Sequence, residues 1–437
     1  MLTITIAIIL AVLGTVIANI ALPTMMRELD STPAAATWVV NAYELSVTVS
    51  LLPLAALGDI IGYRVIYGVG LTAFTVASLA CGFAPSLPTL VAARVLQGFG
   101  AAGIMSVNTA LVRFIFPRAQ LGRGVASVAL VVATSSAAGP SVAAAILAVA
   151  SWHWLFLFNV PLGVVALVLA RGSLPRTPLA GHRFDWISAG LNAATFGFLL
   201  LGLNGIGQGQ GRALVGTLLA LGAAAAWFLV RRQRRLAAPM LPVDLFRKPI
   251  FALSVATSVC SYASQSIAYL ALPFYFAIGG GMTQSQIGLL ITPWPAVVMV
   301  VAPIAGRLSD RYPAGLLGGI GLVVLTAGLV LLNMLPPDPR FIDVVWRMMI
   351  SGIGFGFFQA PNNRALIAAA PRSRSGVASG MLSTARLAGM TTGGVTVAVI
   401  FGLLAGKVGQ EVTVALGVAA GFSGVASVIS FSRLGRG

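Results

Sequence analysis

Ala55–Arg64 reads Ala-Ala-Leu-Gly-Asp-Ile-Ile-Gly-Tyr-Arg, a short polar loop wedged between two apolar stretches. It has an echo in Gly306–Pro313, Gly-Arg-Leu-Ser-Asp-Arg-Tyr-Pro, which keeps the pattern small-x-Leu-x-Asp and sets Asp310 251 residues beyond Asp59. The spacing holds further along the chain. Gly124-Val-Ala-Ser127 returns as Gly376-Val-Ala-Ser379, 252 residues on, and Pro117-Arg118 returns as Pro371-Arg372, 254 on. Arg94 and Arg347, each inside an apolar stretch, stand 253 apart. Four features at nearly one offset indicate an internal duplication. In a membrane protein that is the usual build of a secondary transporter, with its site between the halves.

The composition agrees with a membrane protein. Of 437 residues, 58% are hydrophobic and 8% charged, and the mean hydropathy is +0.96. Long apolar runs recur from end to end, as no soluble domain of this length requires. The net charge of +17 does not point to nucleic acid, because the basic residues sit singly in short loops instead of on one polar face. Cys81 and Cys260 both lie in apolar runs and read as packing residues, with no disulfide or metal implied. The opening Met-Leu-Thr-Ile-Thr-Ile-Ala-Ile-Ile-Leu has no basic n-region and reads as a first span, not a cleaved signal.

At roughly 20 apolar residues per crossing, the chain divides into fourteen spans. They fall near 2–23, 38–57, 64–84, 88–112, 122–148, 152–171, 184–204, 213–230, 250–277, 285–305, 314–335, 343–368, 375–404 and 411–432. Six spans, then two, then six account for the repeat offset. The expected organisation is a six-helix half over 1–171, a linker with two additional transmembrane helices over 172–248, and a second six-helix half over 249–437. With both termini in the cytoplasm, 20 of the 27 Lys and Arg residues fall in inner loops and the tail, and four in outer loops. That split fixes the expected orientation. No loop is long enough for a folded domain, so function has to lie between the helices.

Six stretches at successive spans carry a family resemblance. They are Leu13-Gly-Thr-Val-Ile-Ala-Asn-Ile-Ala-Leu-Pro23, Trp38-Val-Val-Asn-Ala-Tyr43, the loop residues Leu57, Asp59, Gly62 and Arg64, Arg94-Val-Leu-Gln-Gly-Phe-Gly-Ala-Ala102, Gly139-Pro140, and Ser151-Trp-His-Trp-Leu-Phe-Leu-Phe-Asn-Val-Pro-Leu-Gly163. In order and at the right spans, they resemble the major facilitator superfamily, and within it the 14-span drug:proton antiporter branch, over nearly the whole chain. The resemblance implies an all-α membrane protein of the major facilitator fold. It also implies a bacterial cytoplasmic-membrane carrier that exports amphipathic, often cationic, compounds in exchange for protons and confers drug resistance. The expected partners are a small-molecule substrate, protons and the lipid bilayer. A monomer is expected, with no nucleic acid, cofactor or metal.

The resemblance also implies residue roles. Asp59, Gly62 and Arg64, with Asp310 and Arg311 in the repeat, would latch the two halves together on the cytoplasmic side. Asp59 would face the helix beginning near Ser375, whose free N–H groups favour an acid. Ala55 and Tyr63 depart from the pattern, where the family has a small residue of glycine type and a basic one. Gly139 and Pro140 sit mid-span, where proline removes a helix hydrogen bond and kinks the helix; in the family this stretch marks antiporters.

Charges inside spans are costly and call for a partner or a cavity. Those here are Glu44, Arg94, Arg347 and Arg386, with Asp343 four residues before Arg347 and able to pair with it. Where the family has an acid in span 1, this chain has Gly14. Glu44 is the available substitute. Glu44 and Arg94 each lie six residues past the outer boundary of their spans, roughly 9 Å deep at 1.5 Å per residue, and together form the expected proton-coupling site. Polar and aromatic residues on otherwise apolar helices are candidates for the substrate wall: Asn19, Tyr43 and Gln97 in the first half, and Tyr262, Gln265, Tyr269, Trp294 and Gln359 in the second. Tyr262, Gln265 and Tyr269 share one helix face. A carrier of one amphipathic metabolite, lipid or siderophore is the alternative. An enzyme is not expected, since His153 and His182 fall at opposite membrane faces and no His/Glu/Cys cluster accompanies them.

Overall fold

The computed structural model describes residues 1–115, 121–175, 177, 179, 184–207, 210–236, 244–279, 281–336, 339–370, 375–405 and 409–434. Among these residues there is no β-strand. A backbone surrounded by hydrocarbon must bond within itself, and apolar runs of this length do so as helices.

The first bundle comprises α1 (Leu2–Glu28), a short α2 (Pro33–Ala36), α3 (Trp38–Ile61), α4 (Tyr63–Gly82), α5 (Leu87–Ile115), α6 (Leu121–Val149), a single-turn α7 (Trp154–Leu157) and α8 (Asn159–Ser173). Two helices follow, α9 (Trp186–Gly207) and α10 (Arg212–Gln233). The second bundle comprises α11 (Pro249–Phe274), α12 (Gln284–Ile291), α13 (Pro293–Leu308), α14 (Ala314–Asn333), α15 (Phe341–Ala368), α16 (Ser375–Leu403) and α17 (Gln410–Phe431).

Among the described residues, twelve helices or continuous helix pairs are long and apolar enough to cross a bilayer, and thirteen if the bent α1 is counted. That is short of the fourteen expected. The expected span at 122–148 lies within the 29-residue helix α6, of which Thr134–Val149 is the apolar stretch described. The segment at 2–23 bends by 41° between Leu2–Thr15 and Ile17–Glu28. The bend has a local cause. Tyr43 Oη donates to Ala11 O at 2.8 Å, and Arg94 donates to Gly14 O at 2.9 Å, so two side chains draw on carbonyls of α1's own ladder.

The two bundles pack alike. In the first, α1 packs on α6 and α8, α3 on α5, and α4 on α5 and α8; in the second, α11 packs on α16 and α17, α13 on α15, and α14 on α15 and α17. One crossing shows the correspondence at atomic scale. Cα of Gly103 lies 2.9 Å from where a Cβ on Gly70 would stand, and the O of Gly354 lies 2.7 Å from where a Cβ on Gly321 would stand. Gly321 and Gly354 each follow their first-bundle counterpart by 251 residues. Small residues allow such close helix approach where no hydrophobic force separates helix from lipid.

Between the bundles, α3 packs on α16, α6 on α12 and α13, α1 on α11, and α2 on α16. One apolar cluster joins both bundles at the α2 end, with Ile17, Leu22, Val39, Trp152 and Phe156 against Phe274, Phe276, Ile287 and Phe401. Helices α9 and α10 are peripheral: 17% of the α10 span is buried, against 61% for the α5 and α11 spans. Even so, α9 rests on both α3 and α16.

Candidate functional site

Arg94 lies at the centre of the first bundle, fully buried. Its Nε donates to Val39 O at 2.7 Å, Nη1 to Gln97 Oε1 at 2.6 Å and Nη2 to Gly14 O at 2.9 Å. The guanidinium sits 4.1 Å from the Tyr43 ring centroid. Gln97 Nε2 continues the network to Ser78 Oγ at 2.8 Å. Four helices, α1, α3, α4 and α5, are thus tied through one cation whose contacts are all neutral. Its charge is dispersed over carbonyl dipoles and an aromatic face. Gly14 is part of the arrangement, because a Cβ there would stand 3.2 Å from Tyr43 Oη and 3.4 Å from the Phe74 ring.

Glu44 follows on α3. It is 1% exposed, and its Oε2 has no hydrogen-bond partner. It makes no ion pair with Arg94 among the described residues; the cations whose fields reach it are Arg94 and Arg386. One turn before it, Asn41 is 1% exposed with neither amide atom bonded, and Asn19 Oδ1 on α1 is likewise unmet. Burying polar atoms without partners is costly. Helix α16 closes on this cluster from the second bundle. Asn41 rests on Gly394, where any Cβ would collide with its Oδ1, and the Thr48 and Thr391 hydroxyls approach to 3.3 Å.

The second-bundle wall candidates form two pairs. Gln359 Nε2 donates to Tyr262 Oη at 2.9 Å, and Tyr262 meets Phe355 edge-on at 5.4 Å. Tyr269 meets Trp294 edge-on at 5.2 Å, and the Trp294 indole N–H is buried without an acceptor. Gln265 is the polar neighbour of the Tyr269 hydroxyl. In the first bundle, Tyr43 and Gln97 are both engaged by Arg94; Asn19 keeps an unmet acceptor.

At the opposite end of the bundles from α2, Gly62 takes φ +98° and turns α3 into α4. Tyr63 Oη donates to the Asp59 carboxylate, so the phenol standing in the basic position engages the acid within its own loop. Arg64 donates to Arg171 O. Asp310 pairs with Arg364, and Arg311 is exposed. Among the described residues none of these bonds crosses between bundles. Gly139 and Pro140 do lie at the crossing: a Cβ on Gly288 of α12 would stand 3.0 Å from Pro140 O, and the Ser141 and Thr292 hydroxyls share a hydrogen bond at 3.0 Å.

Asp343 and Arg347 pair at 3.9 Å as the four-residue spacing suggested. Cys81 and Cys260 are free thiols, and no group of metal-ligating side chains occurs among the described residues. His182 lies outside the described residues. Two further arginines bear on the site, the first not singled out from sequence and the second named there only as a charge within a span. Arg433 is buried and donates to Asn362 Oδ1 at 2.7 Å and Ser254 Oγ at 2.9 Å, tying the end of α17 to α15 and α11; burial lowers its guanidinium to about 10, still protonated at neutral pH. The other is Arg386, half-buried on α16, with no hydrogen bond among the described residues.

Two helix bundles packed alike, with an unmet polar cluster where they meet, have the architecture of a membrane transporter. The family model described as Major Facilitator Superfamily matches residues 4–394, and the chain belongs to that family. Relatives include the uncharacterized transporter YebQ of Escherichia coli K12, 51% identical over 91% of this chain and 88% of that one. The multidrug resistance protein Stp of Mycobacterium tuberculosis is 31% identical over 87% of this chain and 71% of that one. The fold is also that of a crystallised POT family transporter in complex with a thioalcohol-conjugated peptide. At 14% identity, that structure aligns over 99% of this chain and 95% of the other with a TM-score of 0.74.

Proposed function

We propose that the chain is a proton-coupled exporter of amphipathic compounds in a bacterial cytoplasmic membrane. It works by rocking a first half (1–171) against a second (249–437), with α9 and α10 as an insert over 172–248. In this reading the protein is a monomer with fourteen spans and both termini in the cytoplasm. The charge distribution between loops and the repeat offset support it, as does the likeness to proteins named for multidrug resistance. The α2 end, assigned to the outside by charge, is sealed, so the conformation described corresponds to the carrier closed outward.

The observation that carries the reading is Glu44. Among the described carboxylates it alone lies deep within a span, and it is buried with an oxygen unmet. A carboxyl in that setting exchanges a proton against a change in its surroundings, which is what coupling requires. Proteoliposomes with an imposed pH gradient test it. The wild type should drive uphill export of a permeant dye, and Glu44→Gln should bind dye yet lose the response to the gradient. Undiminished gradient-driven export by Glu44→Gln would sink the assignment.

A carrier of one metabolite remains the second reading. The specific observation in its favour is that a single interior acid faces two interior guanidiniums, a poor match for indiscriminate cation export.

A further inference from the structure

The charges at the interface between bundles do not balance. Asp343 and Glu411 sit in the first turns of α15 and α17 and leave Glu44 as the one acid at depth among the described residues. Against it stand Arg94 and Arg386, so the interior carries a surplus of positive charge with Glu44 ionised and a larger one with Glu44 protonated. The two arginines are not equivalent. Arg94 spends its donors on Val39 O, Gln97 Oε1 and Gly14 O within the first bundle. Arg386 is half-buried and donates to nothing among the described residues. A half-buried guanidinium with no protein acceptor among the described residues can recognise a planar oxyanion, which it meets with two parallel hydrogen bonds.

Its position suits that role. Arg386 lies on α16 one and a half turns before Thr391, which touches Thr48, and Thr48 is one turn past Glu44 on α3. Helices α3, α9 and α11 pack on α16; along this contact from Arg386 towards the α2 end, Tyr262 meets Gly389, Asn41 rests on Gly394 with both amide atoms unmet, and Glu44 Oε2 is unmet on α3. The first bundle therefore supplies unmet neutral polar groups and one acid, and the second supplies the free cation and aromatic edges.

We propose that Arg386 is the substrate-anchoring cation of the second bundle, and that the transporter takes amphipathic compounds bearing a carboxylate, zwitterions included. This rests on the exporter reading above and narrows its substrate class away from simple cations. In the empty carrier Glu44 is the interior acid whose field reaches Arg386 without an ion pair between them, and a substrate carboxylate supplies the direct partner. Arg386 is thereby a specificity-determining residue that senses the acidic end of the ligand, while Asn41 and the aromatic pairs meet its body.

The test is equilibrium binding at neutral pH, with protein in nanodiscs, of one rhodamine in its free-acid and ethyl-ester forms, which share a ring system and differ in the anionic group. Wild type should bind the free acid more tightly. Arg386→Gln should weaken free-acid binding on the order of tenfold to a hundredfold, as expected for a lost charge-assisted pair, and leave the ester within about twofold. Arg386→Lys should recover part of the preference. Glu44→Gln, which removes the competing acid, should raise the acid-to-ester preference above wild type. A wild-type preference for the ester, or an Arg386→Gln loss equal for both forms, overturns the proposal. If Arg386→Gln does not fold, Glu44→Gln decides, and an unchanged or lowered preference overturns it. Gradient-driven transport of the ester without preference for the acid would overturn this assignment alone and leave the exporter reading standing; binding of neither form would overturn both.

Discussion

Arg94 is a buried cation held by neutral groups, and its geometry makes a sharp demand on side-chain shape. Three separate nitrogens reach three acceptors on α1, α3 and α5. A lysine ammonium is a point charge on a different stem and cannot span them. Arg94→Lys is therefore expected to leave at least one buried carbonyl unmet and to cost about 1–3 kcal/mol, read as a lower thermal midpoint in nanodiscs. Gly14→Asp, which restores the acid of the wider family, should not restore a proton site, because its Cβ already meets Tyr43 Oη at 3.2 Å. What could be read from sequence here was the list of costly residues, not their partners. Glu44 and Arg94 stood out as charges in apolar spans. Tyr43 and Gln97 stood out as wall candidates, but the fold spends both on Arg94. Arg386 could not be assigned because the acid whose field reaches it is 342 residues away, and no local spacing tells which face of α16 meets α3.

The positions of the helices follow closely from hydrophobic length, and their tertiary seats less so. The expected segment at 184–204 is found as α9, yet its contact with α3 and α16 is a tertiary fact. The signal that could have revealed it is a polar stripe of Ser188, Asn192 and Thr195 at spacings of four and three, all buried. Asn192 Nδ2 donates to Val49 O of α3 at 2.7 Å, and Asp185, just before α9, pairs with Arg232 of α10 at 2.9 Å. Burial alone would raise the Asp185 carboxyl, but hydrogen bonds from Arg232 and Ser188 outweigh it and hold it below its ordinary 3.8. A carboxyl lowered in the folded state contributes stability above its unfolded value and loses it as pH falls through the folded one. The pairing's contribution should thus be constant from neutrality to about pH 5 and fade as pH drops below the ordinary carboxyl value through the lowered folded one. Asp185→Asn should lower the thermal midpoint at neutral pH by the equivalent of about 1 kcal/mol or less and make no difference in acid. At the other contact between bundles, Gly288→Val would set a side chain against Pro140 O and Ala144. It should hold α6 and α12 apart, so that a cysteine at Ser141 becomes reactive to an outside reagent and transport falls at least tenfold, about 1.4 kcal/mol of bias between states.

At the scale of the molecule, the bundles meet through an apolar seal at one end, while the acids at the other are engaged inside their own bundles. Leu22, Trp152, Phe274 and Phe401 belong to the seal, which joins α6 to α12 and α2 to α16. Asp59 accepts from Tyr63, and Asp310 pairs with Arg364. A carrier that alternates must exchange these arrangements, parting the seal and giving Asp59 a new partner across the gap. The N-terminus of α16, which begins at Ser375, presents free N–H groups suited to an acid. An interaction made in one state and absent from the other shifts their populations without touching the ligand, by as much as its own free energy. For a carboxylate at a helix N-terminus that is about 0.3–2 kcal/mol. Asp59→Asn should therefore favour the outward-sealed state, seen as a larger share of the short distance between spin labels at Val149 and Gln284 on the facing ends of α6 and α12. Turnover should fall by about twofold to thirtyfold, while the dissociation constant of a dye measured in the sealed state stays within about twofold. Tyr63→Phe removes only the bond inside the loop, freeing Asp59 for the alternative contact, and should shift the label distances the other way. An Asp59→Asn protein that weakens dye binding as much as it slows transport would place Asp59 at the ligand instead of at the contact between bundles.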